Sequence, residues 1–147
     1  MSQFEDVLQN IVFGQAPEGF YYNRIFVVSA YNNVTNWLLE HKKTGEPGVY
    51  DLFVRNSDYK RALDGLLQKL LDINQGLKAI KLDLPVADDF ITERVDQCRN
   101  YLVSLEEVMA SGYVNKQNIL LAAREILASI GEAHSAFNSV NILSLIH

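Results

Sequence analysis

A single cysteine, Cys98, occurs in the 147 residues. An intrachain disulfide is therefore excluded, as is a thiolate-rich metal site, and the usage fits a reducing compartment. Positive charge is also scarce. Thirteen Lys and Arg face 18 Asp and Glu, for a formal net charge of -5. Such a surface opposes binding to phosphate backbones. The closest approaches to basic clusters, His41-Lys42-Lys43 and Lys60-Arg61, are short and diluted by acidic neighbours, so nucleic acid is not an expected partner. No glycine-rich phosphate loop is present; Gly14, Gly19, Gly45 and Gly48 punctuate loops instead. No apolar run approaches the roughly 20 residues of a membrane span. The opening MSQFEDVLQN is acidic where a signal peptide is basic. The expected location is the cytoplasm, without a membrane partner.

What is present is a globular composition, 48% hydrophobic and 21% charged. The length suits a single domain over 1–147. The stretch FYYNRIFVVSAYNN (20–33) decides the fold class. Its β-branched and aromatic residues suggest a strand, but IFVVSAY does not alternate apolar with polar. On a helical wheel Val27, Ala30, Val34, Trp37, Leu38 and His41 share one side, and Ser29, Asn32, Asn33, Asn36 and Glu40 the other. Phe20 to Lys42 is therefore expected to be an amphipathic helix, with Val27, Val34, Trp37 and Leu38 buried. Gly45, Pro47 and Gly48 stop it. A shorter helix is expected over Gln3 to Phe13, and a helical turn at VYDLFV, because a lone strand has nothing to pair with.

Three longer helices follow. Tyr59, Leu63, Leu66, Leu70, Ile73, Leu77 and Ile80 step by alternating fours and threes after an N-cap at Ser57, up to Pro85. From an N-cap at Asp88, Ile91, Val95, Cys98, Leu102, Leu105 and Met109 repeat the pattern as far as Ser111-Gly112. From Asn115, Ile119, Ala123, Ile126, Ile130, Ala133, Phe137 and Val140 do so again. Such stripes pack at shallow angles, and short loops join antiparallel neighbours. The expected fold is all-α: an antiparallel bundle of four long helices plus a short N-terminal helix.

Catalytic motifs known on helical bundles are missing. No glutamate lies three residues before His41, His134 or His147, as a di-iron site requires. Asp89, Glu93 and Asp96 share one helix face, but no second acidic pair accompanies them, and they point away from the apolar seam. They read as a solvated face near a helix N-terminus. His134 reads as a boundary histidine bonded to a carbonyl or water, and Cys98 as a core thiol. Trp37, with Tyr21, Tyr22 and Tyr31, reads as core rather than as a ligand pocket. No catalytic, cofactor or metal residue is assigned and no cofactor is expected.

The last helix has a second apolar line at Leu121, Ala128, Ser135 and Ile142, and its end, including Leu145 and Ile146, is apolar almost all round. A helix exposed on one side should not be so. Those six residues are the candidate interface, for a homodimer or a helical protein partner. The leading functional class is then a non-catalytic protein-binding module (an adaptor, inhibitor or immunity-type protein) with an acidic surface. The alternatives are a small hydrolase with a metal-dependent carboxylate site and a structural subunit of a homo-oligomer.

Overall fold

The computed structural model describes Asp6, Val7, Asn10 and residues 25–144. The expected helix over Gln3 to Phe13 lies, apart from those first three residues, outside the described residues. The helices from residue 25 onward are α1 (Val34–Leu38), α2 (Val49–Val54), α3 (Tyr59–Leu77), α4 (Leu84–Ser111) and α5 (Lys116–Ser144). Among the described residues there is no strand, only an isolated bridge between Glu40 and Pro47. The fold is an all-α bundle, and VYDLFV is helical.

Local chemistry sets the ends of the long helices. The Asp58 carboxylate accepts the Arg61 backbone N–H at 3.1 Å, so α3 is capped one residue after Ser57. A 3₁₀ turn, Lys78–Ile80, and a left-handed Lys81 end it. Asp83, not Asp88, caps α4 by accepting from Val86 N–H. Pro85 thus opens this helix instead of closing the previous one. In a first turn proline forfeits only an N–H that has no intrahelical acceptor. Gly112, at φ 73°, closes α4 in the left-handed conformation that glycine takes without penalty. Asn115 accepts from Gln117 N–H at 2.8 Å to start α5.

Side-chain pairs show how the long helices run. Tyr59 donates to Glu106, Arg99 reaches Asp64, and Asn74 donates to Asp88. Numbers rise along α3 as they fall along α4, so the two are antiparallel. Between α4 and α5, Asn141 Oδ1 accepts from Asp83 N–H at 3.0 Å, and the Phe90 and Phe137 rings stack at 3.9 Å. That pair is antiparallel too. Helices α1 and α2 pack between α3 and α5. The main core gathers Leu63, Leu66 and Leu70 of α3, Ile91, Val95 and Leu102 of α4, Ala123, Leu127 and Ile130 of α5, and Val34, Leu38 and Phe53 from the short helices. A smaller cluster holds Leu77, Ile80, Leu82, Ala87 and Ile142.

The expected long helix over Phe20 to Lys42 is not found. Residues 25–31 form no helix, Asn32-Asn33 make a turn, and only Val34–Leu38 is helical. Asn33 takes the left-handed conformation at φ 66°. Asparagine tolerates it because its short polar side chain bonds locally. Val34 and Leu38 are buried as expected, Trp37 is half-buried, and Val27 is 94% exposed. Ala30, Val34 and Leu38 do lie together, because all three abut Gly131, where an added Cβ would fall 2.8 Å from that of Ala30.

Stability measurements should separate the two halves of this stretch. Leu38→Ala is expected to cost about 2–5 kcal/mol, as for a fully buried leucine. Val27→Ser is expected to stay within about 0.5 kcal/mol of the native chain. Urea unfolding of both variants checks this; a large loss at Val27 would mean that it is packed in the isolated chain.

Candidate functional site

The core contains a polar layer. Asn74 on α3 and His134 and Asn138 on α5 are all fully buried. They continue the apolar stripes of their helices, Asn74 between Leu70 and Leu77, His134 and Asn138 between Ile130 and Ile142, so helical spacing carries them inside. They sit between the two apolar clusters. Asp88 on α4 completes the layer.

The chemistry of Asp88 fixes the orientation of every other member. An ionised carboxylate only accepts, so the Asn74 amide must turn its Nδ2 toward Asp88, at 2.8 Å. Its Oδ1 then faces α5, 2.7 Å from both His134 Nε2 and Asn138 Nδ2. A carbonyl oxygen can only accept, so His134 carries its proton on Nε2 and donates it. The 3.2 Å approach of Asn138 Nδ2 to His134 Nε2 is then a contact between two donors that share one acceptor. Burial pushes the His134 pKa down to about 4, against a smaller opposing pull from Asp88. The imidazole is therefore neutral at pH 7. Tyr31 packs edge-on against it, with ring centroids 5.3 Å apart. Among the described residues, three buried atoms in this region lack a hydrogen-bond partner within 3.5 Å: Tyr31 Oη, His134 Nδ1 and Asn138 Oδ1. Burial also raises the Tyr31 pKa, while the neighbouring Asn138 lowers it. The layer can orient three helices and hold a neutral imidazole.

A surface cleft of about 470 Å³ lies on the other side of α1. Trp37, His41, Glu46 and Lys69 line it, and the Lys69 ammonium stands 4.9 Å over the Trp37 ring. Gly48 forms part of its wall, where a Cβ would fall 2.5 Å from the Leu39 carbonyl oxygen. Trp37 thus has one side against the core and another facing this cleft.

The residues singled out from the sequence are scattered. Asp89, Glu93 and Asp96 are exposed; Glu93 accepts from Gln97 at 3.0 Å, and Asp96 lies 4.0 Å from Arg99. Among the described residues no group of three His, Cys, Asp or Glu converges as metal ligands would. Cys98 is a core thiol whose pKa burial raises to about 12. His134 is not at a boundary but at the centre, bonded to an amide. Of the candidate interface, Leu121 is exposed and Ala128 half-buried. Ser135 and Ile142 are buried within this chain, Ile142 in the smaller apolar cluster. The line expected to face a partner therefore turns inward over its second half. Leu145 and Ile146 lie outside the described residues. Tyr21 and Tyr22 do so as well. No described helix is long and apolar enough to cross a membrane.

Comparison with known proteins gives one informative likeness. The aspartate kinase Ask_Ect of Stutzerimonas stutzeri (strain A1501) is 47% identical to this chain over 143 residues. The match takes in 95% of the chain but only 30% of the kinase. No protein-family profile matches the chain, and no solved structure does.

Two measurements test the polar layer. Asn74→Leu should destabilise the fold by about 1–3 kcal/mol for each buried group it leaves unpaired; a neutral result would mean that Asp88 and His134 find other partners. The His134 pKa also predicts a pH dependence. The unfolded imidazole, near 6.5, binds its proton before the folded one, near 4. The His134 contribution is therefore complete above pH 6.5 and is lost as pH falls toward 4, by at most roughly 3 kcal/mol. His134→Gln, which keeps a donor amide, should flatten that part of the stability profile. An unchanged slope would contradict the assignment.

Proposed function

We propose that this chain is a helical binding module of an aspartate-kinase-type protein, working by docking with other kinase polypeptide rather than by carrying out catalysis alone. The observation that carries the reading is the match itself: nearly all of this chain corresponds to under a third of an aspartate kinase. Random drift does not keep 47% identity over 143 residues, so the chain shares an ancestor, and with it a fold, with that portion of the enzyme. Phosphoryl transfer needs groups that hold the nucleotide, its metal and the acceptor together. In this reading the chain supplies one wall of such an assembly.

A self-associating role retains fewer contacts than the sequence suggests. Leu121 and Ala128 remain available on α5, whereas Ser135 and Ile142 are used inside the fold. Sedimentation equilibrium with Leu121→Asp tests that alternative without disturbing the core.

The docking reading is tested with a chimera in which this chain replaces the matching portion of the Stutzerimonas kinase. The expected result is a folded chimera that consumes ATP in an aspartate-dependent manner, while the isolated chain does not. A chimera that fails to fold, or that folds without activity, would overturn the reading.

A further inference from the structure

From the pattern of exposure at the start of the described region we infer that residues 25–30 are a β-strand awaiting its neighbours, and that the strands it pairs with come from the kinase-type polypeptide outside this chain. The inference rests on the docking function proposed above and says where the docking occurs.

Three observations carry it. The first is exposure. Ile25 is 93% exposed, Phe26 43%, Val27 94% and Val28 36%, while Ser29 is exposed and Ala30 half-buried. Accessibility thus alternates with a period of two, the signature of an extended segment with one face against a body. The partly covered face is Phe26, Val28 and Ala30, and Ala30 abuts α5 at Gly131. The second is chemistry. The outward face is apolar as well, at Ile25 and Val27. A strand apolar on both faces belongs inside a sheet covered on both sides, whereas a strand facing water alternates with polar residues. Four consecutive large apolar residues left in water are otherwise a liability. The third is the backbone: no backbone hydrogen bond joins residues 25–30 to another described residue. Six residues whose N–H and C=O groups find no backbone partner among the described residues, roughly 20 Å long, are a ready template for strand addition.

The match with the kinase identifies the occupant. With 95% of the chain matched, residues 25–30 cannot lie in the unmatched fringe, so the kinase shares this segment. That protein has more than twice as much further polypeptide to supply the missing strands. Strands within one polypeptide also meet at a high effective concentration, which a second copy of the chain does not offer.

Amide hydrogen exchange, measured on the isolated chain and on the chimera described above, tests the inference. The amides of residues 25–30 should exchange freely in the isolated chain and slow at least a hundredfold in the chimera. Val27→Pro, which removes a ladder donor, should leave the melting temperature of the isolated chain unchanged and lower chimera activity at least tenfold. Val27→Thr, which keeps both the donor and the strand preference, should restore most of that activity. An active chimera with unprotected amides at 25–30 would overturn the inference and leave the docking function standing. A chimera that does not fold or is inactive would overturn both. Protection in the isolated chain, accompanied by dimerisation, would give the segment to a second copy and likewise refute it.

Discussion

One hydrogen bond, from the Asn74 amide to the Asp88 carboxylate, organises the interior of this bundle. It decides which end of Asn74 faces α5, and therefore which imidazole nitrogen of His134 carries a proton and how Asn138 is turned. Apolar stripes on three long helices tolerate sliding, because one leucine packs much like the next. A buried polar layer does not. A slip of one turn would leave two amides and an imidazole buried without partners, each at a cost of about 1–3 kcal/mol. The layer acts as a register key of the kind that single buried asparagines provide in coiled coils. It stands between the larger apolar cluster and the smaller one, so both sets of contacts depend on the alignment that it sets.

The same layer reaches toward the surface through Tyr31, whose ring meets that of His134. Tyr31 directly follows the exposed segment 25–30, and Ala30 rests on Gly131 one turn before His134. The keyed core thus holds one end of a segment whose described residues are largely exposed. The body is well packed around α3, α4 and α5.

Much of this was legible in the sequence, and the failures have physical causes. The three long helices follow from stripes at 59–80, 91–109 and 119–140, although over the second half of α5 the buried face is Leu127, His134, Asn138 and Ile142, and Val140 is 67% exposed. Asn115 and Gly112 mark boundaries correctly. Pro85 stands where a stripe ends, which suggests a terminator, but it opens α4, since proline serves both ends of a gap between helices. The helical wheel over 20–42 was half right: Ala30, Val34 and Leu38 do share a neighbour in Gly131, but the Asn32-Asn33 turn brings them there, not a continuous helix. A fully apolar run such as IFVV carries no period, so alternation could not reveal an extended segment. The polar layer leaves a trace in the sequence. Asn74, His134 and Asn138 occupy core positions of their stripes, and a polar residue at a core position calls for a partner at another. Ile142 shows the converse error, an apparent second face that proved to be a second core cluster.

The most direct test of the keyed core is the protonation state of His134, read by long-range ¹H–¹⁵N NMR of the imidazole. The expected spectrum at pH 6 is that of a neutral ring protonated on Nε2, with Nδ1 bare, and Asp88→Ala should release that preference. A ring protonated on Nδ1, or one already charged at pH 6, would contradict the arrangement in which Asp88 orients Asn74 and Asn74 orients the histidine.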